Sequence, residues 1–129
     1  MKRMFAALAL VSALGALSCF SDRDATQPIV EAGECAIPLS AIGANKVVVA
    51  IRNFQFFPDT VRIRRGGEVT WVNCETDVAD FHTSTSESGL WDSGALNRRD
   101  FYTRRFDAVG AFEYFCVPHP FMQGTVIVQ

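Results

Sequence analysis

Val61-Arg62-Ile63-Arg64-Arg65-Gly66-Gly67-Glu68-Val69-Thr70-Trp71-Val72-Asn73 is the stretch that decides the fold class. Val61 and Ile63 alternate with Arg62 and Arg64, the period of two that a strand with one wet face produces. Arg65-Gly66-Gly67-Glu68 has turn composition and Val69 to Asn73 resumes the strand pattern, so the segment predicts a hairpin. Upstream, Lys46 to Ile51 is nearly all β-branched, and Phe54-Gln55-Phe56-Phe57 extends that run to Pro58 as a buried strand and its exit. Downstream, Phe101 to Phe106, Ala111 to Cys116 and Thr125 to Val128 read as strands, separated by Asp107-Ala108-Val109-Gly110 and by a proline-rich loop. Glu75 to Arg99 is rich in Ser, Thr, Asp, Asn and Gly, which predicts a long connection holding one short strand. No segment has helical periodicity. The expectation is an all-β Greek-key sandwich of about seven to eight strands.

The chain has 129 residues, 49% hydrophobic and 20% charged, which supplies one compact domain and excludes a multidomain enzyme. Fourteen acidic against twelve basic side chains give a net charge of -2, without the basic excess that a nucleic-acid partner requires. Met1-Lys2-Arg3-Met4 is positively charged and leads into an apolar run, Phe5 to Leu17, too short to span a bilayer. Residues 1–18 therefore read as a secretory signal, residues 19–44 as an N-terminal tether and residues 45–129 as the working domain. Ala16-Leu17-Ser18 before Cys19 resembles the lipobox of bacterial lipoproteins, with the order of the aliphatic and the small residue reversed. Cys19 is thus a candidate lipid attachment point, ordinary signal-peptidase cleavage nearby being the alternative. On either reading the protein is exported, to the periplasm or as a membrane-anchored lipoprotein.

The chemistry lies in Cys116-Val117-Pro118-His119-Pro120-Phe121-Met122, which sets a thiolate, an imidazole and a thioether at three-residue intervals on one tight loop. Such soft ligands suit copper, and two imidazoles and a thiolate with a long axial thioether make the blue-copper arrangement. The only other histidine is His82, at the end of the polar stretch after the Trp71 strand. Pro118 and Pro120 stiffen the loop. Together with Phe121 they would surround His119 with apolar surface, an expected exit for an electron.

This loop resembles the ligand loop of cupredoxins of the plastocyanin and amicyanin type. The resemblance extends upstream through Phe57-Pro58-Asp59-Thr60-Val61-Arg62-Ile63 and Gly66 to Asn73, and covers roughly Lys46 to Gln129. It implies a cupredoxin-like sandwich with one type 1 copper ion. His82 would be the upstream imidazole ligand, Cys116 the thiolate, His119 the second imidazole and Met122 the weak axial ligand. Many cupredoxins carry Asn after the first histidine to tie the ligand loops together, whereas Thr83 stands here; its hydroxyl is the group expected to take over.

Other readings are weaker. Cys116 and His119 have a spacing also found in zinc sites, but a thioether is a poor zinc ligand. Cys35 and Cys74 remain as an even pair in an oxidising setting, a candidate disulfide, with two buried thiols as the alternative. Trp71, Phe54, Phe56, Phe106, Phe112 and Tyr114 read as core. The pairs Arg64-Arg65, Arg98-Arg99 and Arg104-Arg105 read as solvated surface, with steering of an acidic redox partner as the alternative. The implied function is one-electron transfer between redox partner proteins by a monomer that is no enzyme, with copper storage or delivery through the same ligands as the alternative. A multicopper enzyme is excluded by the shortage of histidines.

Overall fold

The computed structural model describes residues 29–32, 35–77 and 79–129. The signal reading of residues 1–18 and the lipidation reading of Cys19 lie outside them. Ten strands follow in order: β1 (Ile29–Ala32), β2 (Cys35–Pro38), β3 (Lys46–Arg52), β4 (Gln55–Phe57), β5 (Thr60–Ile63), β6 (Gly67–Asn73), β7 (Thr85–Ser86), β8 (Phe101–Phe106), β9 (Gly110–Phe115) and β10 (Gln123–Val128). One four-stranded sheet has the order β4-β3-β6-β8 and the other β5-β10-β9-β7. The eight strands of this sandwich match the expected fold class, and the parallel pairs β3 with β6 and β5 with β10 carry its crossed connections.

Two local readings change. Val61 to Asn73 is no hairpin, because β5 pairs with β10 in one sheet while β6 lies between β3 and β8 in the other. The reason is burial. Val69, Thr70, Trp71, Val72 and Asn73 are all buried, as a central strand covered on both faces must be, and β5 with one wet face is suited to an edge. The Asn45 side chain holds the crossing: its Oδ1 accepts from Arg64 N at 2.7 Å and its Nδ2 donates to Arg64 O at 3.1 Å. Gly67 has no room for a side chain there, since a Cβ would stand 2.7 Å from Asn45 Oδ1.

The run from Lys46 to Phe57 likewise does not extend straight to Pro58. It reverses at Asn53 (φ 51°) and Phe54 (φ 54°), and β4 returns antiparallel on β3 with Arg52 opposite Gln55. Two consecutive left-handed residues are the signature of a tight hairpin turn. The long connection of residues 75–99 carries one short strand, as expected.

The expected tether also narrows. Ile29–Ala32 pairs antiparallel with Cys35–Pro38, Ala41 is buried in a 3-10 turn at Leu39–Ala41, and Cys35 is joined to Cys74 by a disulfide. The pairing of Cys35 with Cys74 anchors the N-terminal hairpin to the end of β6, so residues 35–44 belong to the packed structure.

Trp71 and Tyr114 centre the core and are fully buried, their rings edge-to-face at 5.2 Å, with Phe56 packed on Tyr114 at 4.8 Å. Gly124 makes the space: a Cβ there would collide with the Tyr114 ring and approach Asp59 O at 2.8 Å. Of the expected core aromatics, Trp71, Phe56, Phe106 and Tyr114 are buried, and Phe112 packs at the margin. Phe54 packs at the margin as well, and its ring also reaches the site described below.

Candidate metal centre

β6 and β9 lie in different sheets and their C-terminal ends both lead to one pole of the sandwich. β6 ends at Asn73, whose amide organises the connection that follows. Asn73 Nδ2 donates to Asp80 O at 3.1 Å and Leu96 O at 2.9 Å, and its Oδ1 accepts from Glu75 N at 2.9 Å. His82 is then clamped by a two-way backbone bridge with Leu96, at 3.1 and 2.8 Å. The next turn is fixed by the buried Trp91, whose indole N–H donates to Ser84 Oγ at 3.1 Å, and by Ser93 Oγ, which accepts from Ser84 N at 2.8 Å. These bonds hold a segment without regular strand structure as firmly as a strand would.

β9 runs directly into Cys116. The loop after it closes on itself: His119 N donates to Cys116 O at 3.1 Å, Met122 N to His119 O at 2.8 Å, and Cys116 N to Met122 O at 3.1 Å. Cys116 and Met122 are buried, whereas His119 is half-buried and its neighbours Val117, Pro118, Pro120 and Phe121 are exposed.

The two loops bring three ligand atoms together. Cys116 Sγ lies 3.6 Å from His82 Nδ1 and 3.7 Å from His119 Nδ1, and the two imidazole nitrogens are 3.3 Å apart. His82, Cys116 and His119 form the only such metal-ligating cluster among the described residues. Three lone-pair donors converging within this span, two of them fully buried, are what a soft cation requires and what an apolar core would avoid.

Burial sets the proton inventory. It pushes the Cys116 thiol up, an effect partly offset by hydrogen bonds from Thr83 and His119, and it lowers His82, with Glu75 opposing. Burial therefore favours the neutral thiol at Cys116 and the neutral imidazole at His82, and a metal ion entering displaces the thiol proton.

Thr83 answers the expectation placed on it. Its Oγ1 accepts from Val117 N at 2.9 Å and its backbone N donates to Cys116 Sγ at 3.4 Å, so one residue ties the upstream loop to the thiolate loop twice. Its hydroxyl also shares a proton with Thr85 Oγ1 at 2.9 Å.

Two further residues shape the site and were not singled out from the sequence. Glu75 is buried; its carboxylate accepts from Asn53 N at 3.0 Å and Phe54 N at 2.8 Å. Its Oε1 also lies 3.3 Å from His82 Nε2, close but off the line of a full hydrogen bond. Because Nε2 faces this carboxylate, Nδ1 is the atom turned toward the cluster. Phe54, which packs at the core's margin, sits at the tip of the β3–β4 turn, with its ring also edge-on to His119 at 4.9 Å and to His82 at 5.5 Å. An acidic residue in a polar segment and a phenylalanine in an apolar run gave no signal of these roles. Two members of the basic pairs take structural parts: Arg98 Nε donates to Glu75 O at 3.1 Å, and the Arg104 guanidinium covers Trp91 at 4.9 Å, whereas Arg64, Arg65, Arg99 and Arg105 are exposed as expected.

Comparison with known proteins agrees with this geometry. The profile of copper binding proteins of the plastocyanin/azurin family matches residues 44–129. The chain is 33% identical to amicyanin-alpha of Methylorubrum extorquens over 125 residues, 95% of this chain and 98% of that protein. It is 32% identical to amicyanin of Paracoccus versutus over 129 residues, 96% of this chain and 92% of that one. Among solved structures, a purple cupredoxin from Nitrosopumilus maritimus superposes with a TM-score of 0.58 at 26% identity, covering 65% of this chain and all of that one.

Proposed function

The chain belongs to the plastocyanin/azurin family of copper-binding proteins, and on that premise we propose that it is a one-electron carrier whose copper is held by His82 Nδ1, Cys116 Sγ and His119 Nδ1, with Met122 as the axial ligand. The observation that carries the reading is the convergence of the three atoms within 3.3 to 3.7 Å, from two loops that hydrogen bonds hold in place. Copper bound there supplies a one-electron Cu(II)/Cu(I) couple. The protein transforms no substrate; it accepts an electron from one partner protein and gives it to another, outside the cytoplasm. The basic apolar leader Met1 to Leu17 supports export, and Cys19 is the proposed lipid anchor of a monomer that would otherwise be free in the periplasm.

The residues around the site perform the rest. Thr83, Asn73 and the Cys116–Met122 loop resist displacement, so the ligand atoms keep their places when the metal changes charge. Trp71, Trp91 and Tyr114 close the interior side against water. Only His119 reaches toward solvent, with the Phe121 ring 6.0 Å from it and 71% exposed, and this apolar rim is the face a redox partner would cover.

The test is a visible spectrum of the Cu(II)-loaded protein beside its Cys116→Ser variant, followed by voltammetry. An intense thiolate-to-copper band, absent from the variant, and a reversible one-electron wave are expected. Absence of the band in the parent refutes the type 1 site. A band without reversible cycling, with copper passing readily to other proteins, moves the assignment to copper delivery.

A further inference from the structure

The pole opposite the metal centre has a composition of its own. β6 and β9 begin there, at Gly67 and Gly110, and run toward the site, while β5 and β10 end there. Leu39 is 42% exposed and Ile42 51% exposed, on the short turn that follows β2. After this turn Asn45 is bonded to Arg64, and a concavity of about 440 Å³ at this pole is lined by Ala44, Asn45, Arg62, Ile63, Arg64 and Gln129.

The charges around it are unbalanced. Lys46 is paired with Glu68 at 2.8 Å and Arg105 with Asp107 at 2.8 Å. Among the described residues no carboxylate pairs with Arg62, Arg64 or Arg65, and Arg65 Nε donates only to the Asp107 carbonyl at 2.9 Å. Three exposed guanidinium groups thus share this pole with two exposed aliphatic side chains, in a protein whose net charge is -2.

We infer that this pole is a docking face for an anionic phospholipid surface, with Arg62, Arg64 and Arg65 meeting the headgroup phosphates and Leu39 and Ile42 entering the interface. Guanidinium groups match phosphate oxygens geometrically, and paired basic and aliphatic side chains suit the boundary between headgroups and chains. A soluble anion would account for the arginines but leave the aliphatic pair without a role. The direction of the chain favours a membrane too. Ile29 pairs with Pro38, the residue before Leu39, so Ile29, ten positions after Cys19 in the sequence, lies at this pole. A protein docked this way presents His119 and its apolar rim away from the lipid, free for a partner. The inference uses the export reading to supply the membrane and does not depend on the copper reading.

The test uses the chain from Phe20 to Gln129, so that neither the apolar leader nor an acyl chain on Cys19 contributes. Cosedimentation is measured with vesicles of phosphatidylcholine alone and with vesicles one-third phosphatidylglycerol, at about 0.1 and about 0.5 M salt, where screening lengths differ by roughly twofold. At least about tenfold stronger partition to the anionic vesicles at low salt is expected, falling at high salt. Arg62→Glu with Arg64→Glu should remove it, Leu39→Asp with Ile42→Asp should weaken it severalfold, and Arg52→Glu, at the other pole, should leave it unchanged. Unchanged thermal unfolding of each variant shows that the fold is intact, since all the altered side chains are exposed. Equal partition to both vesicle types, or binding indifferent to Arg62 and Arg64, overturns the inference. So does a dimer that forms without lipid and is abolished by the Leu39 and Ile42 substitutions, which would make the face a contact between two copies. Loss of the visible copper band with vesicle binding retained would refute the carrier reading alone.

Discussion

Glu75 is the residue whose removal should show most clearly how the site is held. Its carboxylate receives two backbone N–H groups, from Asn53 at 3.0 Å and Phe54 at 2.8 Å, and approaches His82 Nε2 at 3.3 Å. Hydrogen bonds to a charged acceptor are worth about 1.5–3 kcal/mol each, and a donor stranded in a partly buried turn loses its water as well as its partner. Glu75→Ala removes both bonds and should therefore destabilise the metal-free protein by about 3–5 kcal/mol. At about 4–8 °C per kcal/mol for a domain of this size, the midpoint should fall by at least about 12 °C. Glu75→Gln keeps one acceptor oxygen but sets an amide N–H against the second donor, so about half that loss is expected. Urea and thermal unfolding of the apo-protein measure both, because copper would mask the difference by binding only the folded state. A Glu75→Ala protein within about 1 kcal/mol of the parent would refute the reasoning, since the two N–H groups would then have found water at no cost.

Removing the disulfide as Cys35→Ser with Cys74→Ser opens a connection spanning 39 residues, and the chain-entropy model gives a loss of about 4 kcal/mol, measurable by urea unfolding with and without a thiol reductant. Gly124→Ala places a methyl group against the Tyr114 ring and 2.8 Å from Asp59 O, a backbone atom that cannot step aside; about 2–3 kcal/mol of overpacking is expected in the same assay. Thr83→Val keeps the shape and the N–H to Cys116 Sγ but withdraws the acceptor from Val117 N, itself near solvent. It should cost only about 1 kcal/mol, yet shift the reduction potential measurably by voltammetry; an unchanged potential would mean the hydroxyl does not steady the thiolate.

Much of this was legible in the sequence because the signals were local. The ligand loop compresses three donors into seven residues, and its closure by its own backbone bonds needs no distant partner. Strand positions also followed from alternation. What the sequence concealed was which strand joins which sheet. Arg65-Gly66-Gly67-Glu68 has the composition of a hairpin turn, and only the burial of both faces of β6 shows that the chain crosses between sheets there. Asn45, the residue that stabilises the crossing, lies 19 positions before Arg64, beyond the reach of any local pattern. Glu75 was hidden for a similar reason: its partners are 21 and 22 residues upstream, and in a segment rich in acids it looks like another solvated carboxylate.

Phe54 shows why the turn and the metal centre must be considered together. A phenylalanine at φ 54° occupies a region that L-residues enter at a cost of roughly 1 kcal/mol, and glycine or asparagine would relieve it. The strained position is held by the Glu75 carboxylate accepting the Phe54 N–H, and the ring that results stands edge-on to both imidazoles. The β3–β4 tip is thus a third wall of the site, beside the two ligand loops. The same carboxylate that stabilises the wall also faces His82 Nε2, so the turn conformation and the orientation of a ligand share one group. Moving His82 disturbs Glu75, and releasing Glu75 frees the turn and the ring that flanks His119. Rigidity at the metal centre therefore comes from a closed circuit of contacts through β3, β4 and the β6 exit, and not from the proline-bearing loop alone.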